Sequence, residues 1–219
     1  MCGRFTLAVP NIGRVAETAQ ATVEPDVAAT YRPRYNIAPT QKHWIVIKTP
    51  QEKILMPSVW GWTQRTGLLI NLRVETIFNR DYYRQQLQNN CCLIPTDGFY
   101  EWAGGKGDRV PHWFHSADKG LMFFAGTYFE RDNESYFTIL TTVAEAPVVS
   151  LHERMPVFVP KSSFELWWSA PELFLRAIPK TALQGYRVSP RMNSTNVDEP
   201  GNIVPDTEEN YPEPQYGLF

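Results

Sequence analysis

Apolar residues at Ile12, Val15, Ala16 and Ala19 recur at helical spacing, which predicts a short amphipathic helix over 11–20. Runs rich in β-branched and aromatic residues predict strands over 44–48, 53–60, 121–129 and 136–142. Residues 75–88 are expected to form a helix that offers Tyr82, Tyr83 and Leu87 as apolar surface. Ser162 or Ser163 is placed to cap a helix running through Trp168, and Pro171 to start the next. Eighteen prolines divide the rest into short pieces. Strands outweigh scattered helices, so the expected fold is α+β with a largely antiparallel sheet. No internal repeat and no linker splits the chain into two cores.

Composition narrows the class. With 219 residues and 43% hydrophobic content, the chain is large enough for one real core. No apolar run reaches transmembrane length and no secretory signal opens the chain, so a cytoplasmic protein that meets no membrane is expected. Cys2, Cys91 and Cys92 make an odd count without framework spacing, which fits a reducing compartment. The net charge of −2 conceals an asymmetry. Of 23 acidic residues, six follow Arg191, and 17 remain against 21 basic ones, a body of +4. A locally basic face can bind phosphate whatever the global sign. The Pro- and Glu-rich end, 206–219, reads as a poorly packed tail.

The chemistry starts at the N-terminus. Once Met1 is removed, Cys2 carries two nucleophiles on adjacent carbons, an amine of pKa roughly 7.7–8.0 and a thiol near about 8.5. The amine can condense with an aldehyde and the thiol can then close a thiazolidine; alternatively, the amine can serve as base for the thiol. A plain buried cysteine in the first strand is the alternative. Four further segments place polar residues where a bland core would not need them: 34–41, containing Asn36 and Pro39; 71–76, where alternation puts Asn71, Arg73 and Glu75 on one strand face; 92–102; and 141–142 with 152–156. In the third, the strand is expected to break at Pro95 and turn at Asp97-Gly98, presenting Glu101 between aromatics that would raise its pKa for acid–base work. Duller accounts exist for each: Asn71 and Glu75 solvated, Glu101 paired with an arginine, His152 capping a helix. His112 and His115 lack a third ligand at suitable spacing, so no metal is expected. His43 reads as a surface residue, and the glycines at 104, 105 and 107 as a hairpin tip rather than a phosphate loop.

In order and wording these segments resemble the SRAP family, the SOS response-associated peptidase proteins. The carriers are Met-Cys-Gly-Arg-Phe, Tyr-Asn-Ile-Ala-Pro-Thr, Asn-x-Arg-x-Glu-Thr, Cys-Leu-Ile-Pro-x-Asp-Gly-Phe-Tyr-Glu-Trp, Thr-Ile-Leu-Thr-Thr and His-x-Arg-Met-Pro, from residue 2 to about Pro205. The resemblance implies one SRAP domain over 1–205, with a twisted, barrel-like antiparallel core and short flanking helices. It also implies a sensor or shield of abasic sites in single-stranded DNA, linked covalently through a Cys2 thiazolidine. Cys2, Asn71, Glu101 and His152 would be the catalytic residues. Arg4, Arg73 and Arg154 would meet phosphates, Trp60 and Trp102 would stack on bases, and Asn36 and Pro39 would line the pocket. No cofactor is implied. A monomer is expected, in a bacterial or phage-type cytoplasm and on the nucleoid when bound to DNA. The chain departs from the family pattern at Trp62-Thr63-Gln64, at Asn89-Asn90-Cys91 and in its acidic tail. The rival readings are a cysteine peptidase using Cys2, Glu101 and His152, a glutamine amidotransferase, and a non-catalytic single-strand binder.

Overall fold

The apolar runs fold into strands, and the strands into two sheets joined through the core. The computed structural model describes residues 2–65, 67–105 and 109–207. In chain order the elements are β1 (Phe5–Leu7), α1 (Ile12–Ala19), α2 (Pro25–Ala28), β2 (Arg34–Ile37), β3 (Lys42–Lys48), β4 (Lys53–Trp60), β5 (Trp62–Gln64), β6 (Gly67–Leu69) and β7 (Asn71–Arg73). There follow α3 (Val74–Asn79), α4 (Asp81–Asn90), β8 (Cys91–Thr96), β9 (Gly98–Ala103), β10 (Val110–Ser116), β11 (Met122–Arg131) and β12 (Glu134–Val143). The last are β13 (Arg154–Pro156), α5 (Phe164–Ser169), α6 (Pro171–Arg176) and β14 (Leu183–Arg187).

In the larger sheet β11, β8, β3, β4 and β12 pair in that order, and β12 pairs again with β11, closing a small barrel. All these pairings are antiparallel except β4 with β12. Closure brings the backbones of β8, β11 and β12 together at Gly126, where a Cβ would lie 2.4 Å from Ile94 and 2.7 Å from the Thr138 carbonyl. Only glycine fits there. Aromatic rings fill one end: Phe5 lies edge-on to Trp60 at 4.9 Å and to Phe124 at 5.7 Å, and Trp60 stacks on Phe137. Strand β12 outruns the barrel, and β7 pairs with its extension on one side and β13 on the other. That extension carries Asn71 and Arg154 towards the functional site.

The second sheet has the order β14-β10-β9-β1-β2, antiparallel throughout. The chain passes from barrel to second sheet at Asp97. Its carboxylate accepts from the Thr6 hydroxyl and, at 2.5 Å, from the Ala8 amide, which ties the crossover to β1. The strand does not break at Pro95. That proline sits inside β8 opposite Phe123, and its carbonyl, which needs no N–H, takes His43 Nε2 at 2.9 Å. His43 is therefore a core residue, not a surface one: it is buried, lies edge-on to Phe5 at 4.6 Å, and burial pushes its pKa down to about 3.

The expected helix over 75–88 is two helices, because Arg80 is extended between α3 and α4. Helix α1 forms at its expected place, where Asn11 accepts from the Gly13 amide at 2.7 Å and the buried face is Ile12, Val15, Ala16 and Ala19. No helix among the described residues is long and apolar enough to cross a membrane. The expected hairpin tip partly lies outside the described residues, as does 208–219 of the expected tail.

Candidate functional site

Between the extension of the barrel and the second sheet lies an open cleft of about 950 Å³. Gly3 and Arg4 of the N-terminal segment line it, with Glu101 and Trp102 of β9, Arg109 and Val110, Leu151 and His152, and Pro190 and Asn193. Cys2 lies under it, fully buried, with its thiol 3.6 Å from the Arg4 carbonyl. Asn71, at the first position of β7, donates from Nδ2 to the Cys2 carbonyl at 2.7 Å. Its Oδ1 is buried with no hydrogen-bond partner among the described residues, an acceptor held beside the cysteine backbone.

Burial dominates the electrostatics. It pushes the Glu101 carboxyl up to about 7, so that at neutral pH the group exchanges its proton readily. Burial, with the Glu101 charge second, holds the Cys2 thiol far above its ordinary range and keeps it protonated. His152 is half-buried, and burial lowers its pKa. Its Nδ1 faces the Arg154 backbone, 2.9 Å from the amide and 3.1 Å from the carbonyl, which leaves Nε2 the outer nitrogen of the ring. A thiol, a carboxyl and an imidazole thus meet at one cleft although they stand 99 and 51 residues apart in sequence.

The other expected site residues separate into two groups. Trp102 and Arg4 line the cleft; Trp102 donates from Nε1 to Asn193 Oδ1 at 2.7 Å. Arg73 is exposed at the end of β7, and Pro39 is half-exposed in the β2–β3 turn, apart from the cleft lining. Trp60 is a correction. It is fully buried in the barrel, with Nε1 donating to the Ile70 carbonyl at 2.9 Å, so no base can stack on it. Asn36 is also fully buried and is not among the residues that line the cleft. Its Nδ2 reaches the carbonyls of Met192, Ser194 and Val197 at 2.7–2.9 Å, while Oδ1 accepts from Arg4 at 2.7 Å. Arg154 meets a carboxylate rather than open solvent: it is buried, bidentate to Glu75 at 2.6 and 2.8 Å, and donates to the Thr141 carbonyl at 2.7 Å. Glu75 can pair with it because the strand ends at Arg73, which takes Glu75 off the expected strand face and into the first turn of α3.

Sequence reasoning missed one wall of the cleft. Residues 188–205 lie across β2, β9 and β10 as a strap. Asn36 and Arg4 hold it at 192–197, Arg34 pairs with Asp198, and the Asn202 side chain donates to the Val197 carbonyl at 2.7 Å. Val188 and Met192 of the strap pack against buried Tyr100 and Trp113. The polar signal for this wall was Asn36, whose partners are some 160 residues away and invisible in local sequence.

Fold and cleft together define a single-domain α+β protein built on a closed barrel, with a carboxyl and an imidazole lining one cleft beside a buried N-terminal thiol. The model of one family, SOS response associated peptidase (SRAP), matches residues 1–195, and the chain belongs to that family. Abasic site processing protein YoqW of Bacillus subtilis is 27% identical over 220 residues, covering 91% of this chain and 97% of that protein. Abasic site processing protein YedK of Escherichia coli is 29% identical over 177 residues, 76% of this chain and 79% of that protein. Abasic site processing protein HMCES of Gallus gallus is 25% identical over 224 residues, 80% of this chain and 67% of that protein. A crystal structure from Bacteroides thetaiotaomicron superposes with a TM-score of 0.76 at 18% identity, covering 94% of this chain and all of that one. A phage-related protein of Bordetella bronchiseptica superposes with a TM-score of 0.69 at 27% identity, covering 85% of this chain and 94% of that one.

Proposed function

We propose that this protein processes abasic sites in single-stranded DNA by forming a thiazolidine crosslink through Cys2 after loss of Met1. The observation that carries the reading is the position of Cys2: its carbonyl is held by Asn71 at 2.7 Å, directly below a cleft where Glu101 and His152 meet. Family membership and the names of the relatives supply the substrate class.

Burial supports an order of steps. The Cys2 thiol is held protonated, so the α-amine attacks first, adding to the C1′ aldehyde of the ring-opened sugar. The carbinolamine loses water to give a Schiff base. The thiol sulfur then adds to the imine carbon, its proton passes to the nitrogen, and the five-membered ring closes with net loss of one water. Glu101, with a carboxyl near 7, is suited to move the amine and thiol protons. His152, with Nδ1 turned to the Arg154 backbone, is suited to deliver a proton from Nε2 to the sugar oxygen during ring opening. Asn71 positions the cysteine. Arg73, Arg109 and the cleft edge of Arg4 serve the phosphates, and Trp102 offers a ring to a neighbouring base. The domain is taken as 1–205, acting as a monomer without a cofactor.

The test is the intact mass of protein verified to start at Cys2, after mixing with single-stranded DNA carrying one abasic site. A covalent adduct at the combined mass less one water is expected, absent with Cys2→Ala and with undamaged DNA. No adduct overturns the reading in favour of peptidase chemistry by the same three residues.

A further inference from the structure

The strap reaches the cleft at Pro190 and Asn193, and Asn193 bonds to three other parts of the cleft lining. Its Oδ1 accepts from Trp102 Nε1 of β9 at 2.7 Å. Its Nδ2 donates to the Arg109 carbonyl, just before β10, at 3.3 Å. Its main-chain carbonyl accepts from Arg4 Nη2 of the N-terminal segment at 3.2 Å. Asn193 is exposed, so water could satisfy these groups as well, and such bonds add little to stability. What they add is orientation. The Trp102 indole packs on the cluster of Tyr100, Trp113, Val188 and Met192, and its ring lies 6.5 Å from that of Tyr100. A tryptophan has two side-chain torsions and one N–H donor. With the ring packed on that cluster and the N–H tied to Asn193, the indole plane is fixed before any ligand arrives. Arg4 is held by the same segment. Among the described residues its guanidinium donates to Asn36 Oδ1 and to the Met192 and Asn193 carbonyls, which leaves two of its five N–H donors for a phosphate.

We propose that Asn193 is the positioning residue of the single-strand contact: its side chain sets the plane of the Trp102 indole, on which the base of a nucleotide beside the lesion stacks. The inference rests on the single-strand binding proposed above and is independent of whether a crosslink forms. Stacking on a ring already held in place costs no ordering on binding, so loss of the Asn193 amide weakens the complex without removing any contact to DNA. The effect belongs to bases, not to phosphates, because Arg4 uses the main-chain carbonyl of Asn193 and keeps it when the side chain is replaced.

The experiment compares wild type with Asn193→Ala and Asn193→Leu, each alone and combined with Trp102→Phe, which keeps a ring and removes the N–H. The exposed position should let both variants fold, which thermal melting checks. In nitrogen-15 NMR spectra the Trp102 indole N–H signal, identified by its loss in Trp102→Phe, should move in both variants. Their dissociation constant for a labelled oligothymidylate should rise about two- to tenfold, the range that one hydrogen bond supports. No such rise is expected for a strand of the same length built from tetrahydrofuran abasic units, which has phosphates and no bases. In the Trp102→Phe background the Asn193 substitutions should have no further effect. With abasic-site DNA, the concentration giving half-maximal crosslinking should rise by the same factor while the rate at saturation holds. An unmoved indole signal, unchanged oligothymidylate affinity, or an equal loss on the base-free strand overturns the inference. The expected binding pattern in protein that forms no crosslink sinks the crosslinking reading while the role of Asn193 stands.

Discussion

Glu101 is a residue whose placement lowers stability. Its carboxyl titrates near 4.3 in an unfolded chain and about 7 in the folded one, so between those values the folded state holds the extra proton. The stabilising contribution is full below the unfolded value and is lost as pH rises through the folded one. Glu101→Gln should therefore match wild type near pH 4 and exceed it at pH 8 by on the order of 1–3 kcal/mol, read from denaturant unfolding at the two pH values. Equal stability at pH 8 would contradict the buried, proton-binding carboxyl. The two tryptophans make a second contrast. Trp60→Ala should cost about 3–5 kcal/mol of stability, as for a filled core position. Trp102→Ala should leave the melting temperature nearly unchanged and weaken single-strand binding by about 1–3 kcal/mol. Both tryptophans stand near the end of a strand beside turn-forming residues, so local sequence does not separate them. Burial does, because Trp60 points into a barrel that no local pattern announces.

Among the elements, the strap of residues 188–205 depends on Asn36. The shape-matched change Asn36→Leu would leave the Met192, Ser194 and Val197 carbonyls and the Arg4 guanidinium short of a partner. Each buried polar group so orphaned costs about 1–3 kcal/mol. Amide hydrogen exchange over 190–197 should accelerate in this variant, with the barrel strands still protected; unchanged exchange would show that the strap is held elsewhere. Several elements were legible beforehand. Helix α1 and strands β3, β4, β11 and β12 follow from spacing and residue type. The helical break at Arg80 was not, because nothing in the residues around it signals an end. The passage of β8 through Pro95 was obscured by proline's usual role. Here the missing N–H costs nothing, and the carbonyl serves His43.

On the scale of the whole molecule, charge is distributed unevenly. Glu208, Glu209 and Glu213 lie in the acidic end, and removing residues 208–219 changes the net charge from −2 to +1. Single-stranded DNA should bind the shortened protein more tightly at low salt. The advantage should vanish near 1 M, where the screening length is about 3 Å. Titrations of a labelled oligonucleotide over a salt series would check this, and a difference that persists at high salt would argue for direct contact instead of long-range repulsion.

By itself the sequence determined the α+β class, the positions of the main strands and the ordered motifs that carry the SRAP resemblance, because periodicity and motif spacing are local properties. It also singled out Cys2, Asn71, Glu101 and His152 as unusual polar positions. Tertiary structure decided what those positions face. Closure of the barrel made Trp60 and His43 core residues. The ion pair with Glu75 committed Arg154, and the strap turned Asn36 from a pocket residue into an anchor. In each case the deciding contact joins residues far apart in the chain, and such contacts leave no periodic trace in the sequence that makes them.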